Sequence, residues 1–211
     1  WRRTIEDAGL QFVGLHWLLA GPESLHVTHP DPRVRRRSWE ALHRLADLCG
    51  ELGGGVMVLG SGRQRDARGM EPAEASRLLQ EGLALLAPRI HAAGSTLLIE
   101  ALPARVTNVV NTLEQAAALV RAVANPGLSG MFDFHNCEDE TAPWADLLAE
   151  HLGMIRHVHL NDPQGGYPCL ARLSRAHLEE YRSAFRVLSE RAYDGWVSLE
   201  VSPLLAHDTT S

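Results

Sequence analysis

Four side chains of metal-binding type close four separate apolar runs. Glu100 ends Leu-Leu-Ile-Glu, Asp133 ends Gly-Met-Phe-Asp, His159 sits in Arg-His-Val-His-Leu and Glu200 ends Val-Ser-Leu-Glu. A single charged residue at a strand end is ordinarily a solvated boundary residue, but four in succession ask for another reading. An ionised carboxylate among Leu, Ile, Val and Phe loses hydration that only a partner or a cation replaces. Three converging carboxylates repel one another, and a bound divalent cation removes that repulsion. Three oxygen donors with one imidazole suit Mn²⁺, Mg²⁺ or Co²⁺ better than a thiolate-rich zinc site, with Mn²⁺ the first expectation and Zn²⁺ an alternative.

The four residues are separated by 33, 26 and 41 positions, each about one strand-plus-helix unit. Short β-rich runs occur at Leu10–His16, Val56–Gly60, Thr96–Ala101, Gly130–His135, Ile155–Leu160 and Trp196–Val201. Amphipathic stretches alternate with them, at Arg33–Leu52, Pro72–Ala93, Thr112–Ala124, Ala142–Leu152 and Arg175–Arg191. Within the first stretch, Trp39, Leu42, Leu45, Ala46 and Cys49 form a helical stripe that Gly53–Gly55 then stops. Asn111-Thr-Leu-Glu-Gln places capping residues before another helix. This βαβα order predicts an α/β fold with a parallel sheet and right-handed crossovers. The competing open doubly wound sheet lacks a Gly-x-Gly-x-x-Gly after any strand. In a barrel of parallel strands, all four strand ends meet at one mouth, where active sites of that architecture lie.

Composition narrows the chemistry. The chain has 211 residues and a net charge of −6, and every one of its 20 basic residues is Arg. Without lysine there is no Schiff-base aldolase chemistry and no phosphate-loop amine. The one basic run, Arg33 to Arg37, reads as a solvated helix face, so no nucleic-acid footprint is expected. No apolar run is long enough to cross a bilayer and no signal segment opens the chain, so a cytoplasmic protein without a membrane partner is expected. Cys49, Cys137 and Cys169 are unclustered and read as reduced, buried or half-buried thiols.

The chain resembles the xylose isomerase-like TIM barrel superfamily, in particular its sugar phosphate isomerase/epimerase group, which includes ketose 3-epimerases. The matching stretches are Glu100-Ala-Leu-Pro to Asn111-Thr-Leu-Glu-Gln, Met131-Phe-Asp-Phe-His-Asn, His157-Val-His-Leu-Asn and Gly195-Trp-Val-Ser-Leu-Glu, with Gly-Leu-His16-Trp17 and Leu59-Gly-Ser-Gly-Arg-Gln-Arg65 at earlier strand ends. The resemblance implies a single (β/α)8 barrel domain over residues 1–211. It also implies that Glu100, Asp133, His159 and Glu200 hold the metal, and that Glu100 and Glu200 exchange protons with a sugar, sugar phosphate or polyol through a metal-stabilised enediolate. His135 matches a histidine that contacts substrate oxygens, or else pairs with backbone. His16 and Trp17 sit at a strand end, where Trp17 walls the sugar or simply packs. Arg63 and Arg65 follow a strand and meet a phosphate or carboxylate, or are ordinary loop arginines. His157 is expected to point opposite to His159, and His26, His29, His43, His91, His151, His177 and His207 to lie on surfaces or helices.

The chain also departs from that pattern. Gly165 and Gly166 stand near an Arg that relatives use for the distal end of the substrate, Cys169 replaces a glycine, and Val106 replaces a Glu. Six strands are counted where a barrel has eight. The register implies an incomplete barrel, short of two strands before Trp1 and of a last helix after Pro203, with an open edge at Leu10–His16. Three alternatives accompany the isomerase or epimerase: a keto-inositol or keto-acid dehydratase, an apurinic endonuclease of related fold, and a non-catalytic or truncated homologue. Homo-oligomer formation stays open.

Overall fold

The structure, a computed structural model, describes residues 1–163, 169 and 172–200. Six strands run β1 (Gly14–Leu15), β2 (Val56–Leu59), β3 (Thr96–Ile99), β4 (Leu128–Asp133), β5 (Ile155–Leu160) and β6 (Trp196–Leu199). They form one sheet in chain order, with every adjacent pair parallel. Six α-helices are α1 (Arg2–Asp7), α2 (Pro32–Glu51), α3 (Pro72–Ala92), α4 (Leu113–Val123), α5 (Trp144–His151) and α6 (Arg175–Glu190). This is an incomplete barrel, an arc of six parallel strands with helices on its outer side.

Helices α2 and α4 begin where their sequences cap them. Asp31 accepts from the Arg33 amide at 2.8 Å and Pro32 occupies the first turn of α2, where a missing N–H costs nothing. At α4, Thr112 accepts from the Gln115 amide at 3.3 Å while the Gln115 side chain accepts from the Asn111 amide at 2.6 Å, a reciprocal cap. After α2, Gly53 and Gly54 take φ of +115° and +79°, which side-chain-bearing residues rarely adopt.

Strand alternation decides what faces where. Met57, Leu59, Leu97 and Ile99 pack outward with Leu42, Leu79, Leu83 and Leu86 of α2 and α3. Phe132 and Val158 pack outward with Leu147, Leu148, Tyr181 and Leu188 of α5 and α6. The residues between them, Val58, Leu98 and Met131, form a separate buried cluster on the inner face. Glu100 and Asp133 lie two positions beyond Leu98 and Met131, so they rise above that inner layer at its C-terminal rim.

Two expectations need correction. The first strand is only two residues long: Leu10 and Gln11 are exposed, and only Gly14 and Leu15 find register partners, Val56 and Met57 of β2. The helix at Arg2–Asp7 was not anticipated; it buries no residue and so carries no amphipathic stripe to detect. The expected strand end at Val201 and the chain after Pro203 lie outside the described residues.

Candidate metal and proton-transfer site

One ligand atom from each of Glu100, Asp133, His159 and Glu200 lies within 4.8 Å of all the others. Adjacent strands bring them together: Asp133 and His159 are direct register partners, and Glu100 and Glu200 follow the flanking strands β3 and β6. His159 Nδ1 is central, 3.3 Å from Asp133 Oδ2, 3.5 Å from Glu200 Oε2 and 3.9 Å from Glu100 Oε1. Glu100, Asp133 and His159 are each at most 4% exposed. Glu200 is more open, its side chain 27% exposed.

The electrostatics follow from crowding acids in a dry place. Burial, reinforced by the charges of Asp133 and Glu200, pushes the Glu100 carboxyl up to about 8. Burial likewise raises Asp133. Burial alone would lower His159, but hydrogen bonds to Asp133 and Glu200 and the charge of Glu100 hold it at about 10. Glu200 goes the other way: burial opposes its charge, yet hydrogen bonds with His159 and His16 keep it well below the usual carboxylate range. A cluster this acidic must keep protons or take up a cation. The donor set, three carboxylates and one imidazole with no thiol among the four, fits a hard divalent ion.

Further side chains complete the rim. His16 Nε2 lies 3.1 Å from Glu200 Oε1, and its ring meets His159 edge-on at 4.8 Å, so His16 belongs to the cluster. Asn136 donates to Glu100 Oε1 at 3.0 Å, and Asn161 donates to both Asp133 oxygens and to Glu200. Gly60, at the end of β2, leaves room for Glu100: a Cβ there would stand 1.9 Å from Glu100 Oε2. Neither asparagine nor this glycine was singled out from sequence. Asn161 was detectable, since it is two residues from His159 on one strand face.

The remaining expected residues divide. His135 hydrogen-bonds through Nδ1 to the Pro163 carbonyl at 3.0 Å, and its amide donates to Asp133 Oδ1 at 2.7 Å, which is the backbone-paired reading. Trp17 is half exposed beside His16, with φ +54°. Arg63 is exposed in a short 3₁₀ turn. Arg65 is instead fully buried, donating to the Leu59 carbonyl at 2.7 Å and to the Glu100 carbonyl, so it staples the ends of β2 and β3 rather than waiting for an anion in a loop.

His157 is a correction: its ring lies 5.1 Å from that of His159, on the same face, because residues two apart on a strand point the same way. His26 is also not superficial, being buried 3.0 Å from Asp66, and His151 is buried at the end of α5. The stretch at Gly165, Gly166 and Leu170, and His207, lie outside the described residues.

With this geometry in hand, comparison with known proteins places the chain. Residues 1–208 match the family described as xylose isomerase-like TIM barrel. The chain belongs to that family. Among curated relatives, a ketose 3-epimerase of Arthrobacter globiformis is 26% identical over 184 residues, covering 84% of this chain and 60% of the relative. A protein of Streptomyces coelicolor named for hydroxypyruvate isomerase activity is 27% identical, covering 96% of this chain and 73% of its own length. The chain thus spans about three fifths to three quarters of these relatives. Among solved structures, a D-psicose 3-epimerase matches with TM-score 0.80 at 18% identity, covering 95% of this chain and 68% of that one. These relatives are isomerases and epimerases, and the described residues contain no helix long and apolar enough to cross a membrane.

Proposed function

We propose that this xylose isomerase-like chain is a divalent-metal-dependent isomerase or epimerase acting on a ketose or a similar α-hydroxycarbonyl compound, free or phosphorylated. What supports the reading is the convergence of Glu100, Asp133, His159 and Glu200 donor atoms within 4.8 Å, in a family whose matched relatives isomerise or epimerise such compounds. These four side chains would hold the ion, with Mn²⁺ the first expectation. When bound, it would polarise the carbonyl oxygen and acidify the neighbouring C–H.

The chain's own residues do the rest. Glu200 is held ionised by His159 and His16 and is the more open of the two glutamates, so it takes the proton from carbon. Glu100, across the cluster from Glu200, is the second proton carrier: with one oxygen toward the ion, its other oxygen takes a proton from water and delivers it from the other side. Delivery from the opposite side inverts a carbon, as in an epimerase; return by Glu200 to the adjacent carbon gives an isomerase. Positioned proton transfer of this kind contributes about 10²–10⁴-fold. His16 and Trp17 stand at the mouth beside Glu200, where Trp17 offers an apolar wall to a sugar ring.

The test is to incubate the protein with Mn²⁺, Mg²⁺ or Co²⁺ in D₂O and with ketoses, including D-fructose and L-ribulose, and with hydroxypyruvate. Deuterium is expected to enter one substrate at the carbon next to the carbonyl without a change of molecular formula. Loss of water from the product would point to a dehydratase instead, and absence of exchange from every substrate would remove the proton-transfer reading.

A further inference from the structure

Asn161 follows His159 by two residues, so its side chain turns to the same face of the sheet. Its Nδ2 donates to Asp133 Oδ1 at 3.1 Å, to Asp133 Oδ2 at 3.2 Å and to Glu200 Oε2 at 3.1 Å. The other end of the same amide, Oδ1, is buried and has no hydrogen-bond partner among the described residues. A buried acceptor left unmatched costs about 1–3 kcal/mol.

His159 Nδ1 faces two of the same oxygens, Asp133 Oδ2 at 3.3 Å and Glu200 Oε2 at 3.5 Å. An imidazole nitrogen and an amide NH₂ therefore address one oxygen pair from two directions. A cation settling on that pair can share the space with the imidazole, which becomes a ligand once it gives up its proton. It cannot share it with an amide NH₂, which presents positive hydrogens and no lone pair. Rotation about the Cβ–Cγ bond exchanges Nδ2 for Oδ1, and this sp³–sp² torsion is soft. The backbone need not move, because the Tyr181 hydroxyl holds the Asn161 carbonyl from α6.

We propose that Asn161 is a fifth metal-binding residue: when a divalent ion enters, its amide turns over and Oδ1 becomes an oxygen ligand beside Asp133 and Glu200. This rests on the reading of the four-residue cluster as a cation site. It accounts for both ends of the amide. The NH₂ substitutes for the cation between two carboxylates in the metal-free protein, and the unmatched oxygen gains its partner in the loaded one. A further oxygen donor also suits the higher coordination numbers of hard ions.

The experiment is Mn²⁺ titration by calorimetry on the wild type, Asn161→Ala and Asn161→Asp, with a crystal structure of the wild type grown in Mn²⁺. Asn161→Ala is expected to weaken Mn²⁺ binding by about tenfold or more, as loss of a metal-site partner does. Asn161→Asp, which offers oxygen but no N–H, is expected to bind at least as tightly as the wild type, and the crystal to show the amide oxygen bonded to the ion. Unchanged affinity in Asn161→Ala, weakened affinity in Asn161→Asp, or an NH₂ still resting on the carboxylates beside a bound ion would each overturn the inference while leaving the four-residue site standing. If Asn161→Ala does not fold, the Asp variant and the crystal decide. A wild type that takes up no Mn²⁺, Mg²⁺ or Co²⁺ would overturn the four-residue site itself, and this inference with it.

Discussion

Glu100 and Glu200 carry the same functional group in opposite protonation states, and the difference comes entirely from their neighbours. Glu100 is buried with Asp133 and Glu200 close by, whereas Glu200 is partly open and faces two histidines. Replacing Glu200 by Gln is expected to keep the fold, as judged by circular dichroism, and to lower turnover by about 10²-fold or more. Retained turnover would exclude it as the base. The same environment makes metal uptake depend on pH. A cation must displace the proton on Glu100, held below about 8, and the one on His159, held below about 10, so affinity should rise with pH up to about 10 and fall as pH drops below these values. Calorimetry at pH 7 in buffers of different ionisation enthalpy is expected to reveal about one to two protons released per ion; heats independent of buffer would contradict this. The four acid and imidazole residues were legible because charge at the end of an apolar run is conspicuous. Asn136 and the inward turn of Arg65 were not, since neutral amides and arginines in loops look the same whether they serve a site or the solvent; Asn161 was detectable only through its two-residue spacing from His159.

Strand ends place these residues, and the placement is tight. The absence of a side chain at Gly60 is what lets the Glu100 carboxylate lie over the end of β2. Gly60→Ala meets only the flexible tip of Glu100, so the protein is expected to fold with little loss of stability while Mn²⁺ affinity falls about tenfold or more, measured by thermal melting and calorimetry side by side. Equal affinity in the variant would mean that Glu100 is free to bind from another rotamer. Strand and helix positions could be read because periods of 2 and 3.6 separate cleanly where each strand has one face on helices and one on the barrel interior. The same period, applied correctly, sets His157 beside His159. The short β1 was not legible: an apolar run suggests a strand, but which of its residues meet a partner strand is set by the neighbour and not by the local pattern.

The described residues form an arc of six parallel strands whose inner face is apolar below and acidic at the rim. The parallel sheet followed from alternation of strands and helices and the incomplete barrel from the family resemblance, and the family match and the fold of D-psicose 3-epimerase agree with both. Substrate identity was not legible, because acids and histidines at strand ends point to metal binding and proton transfer and carry no information about the rest of a substrate. The central claim is that four side chains from four strands act together on one ion. It is tested most directly by titrating the metal-free protein with Mn²⁺ in a calorimeter, beside an Asp133→Asn variant. The account predicts one ion bound per wild-type chain and binding weakened about tenfold or more in the variant. No saturable uptake by the wild type, or equal uptake by the variant, would contradict it.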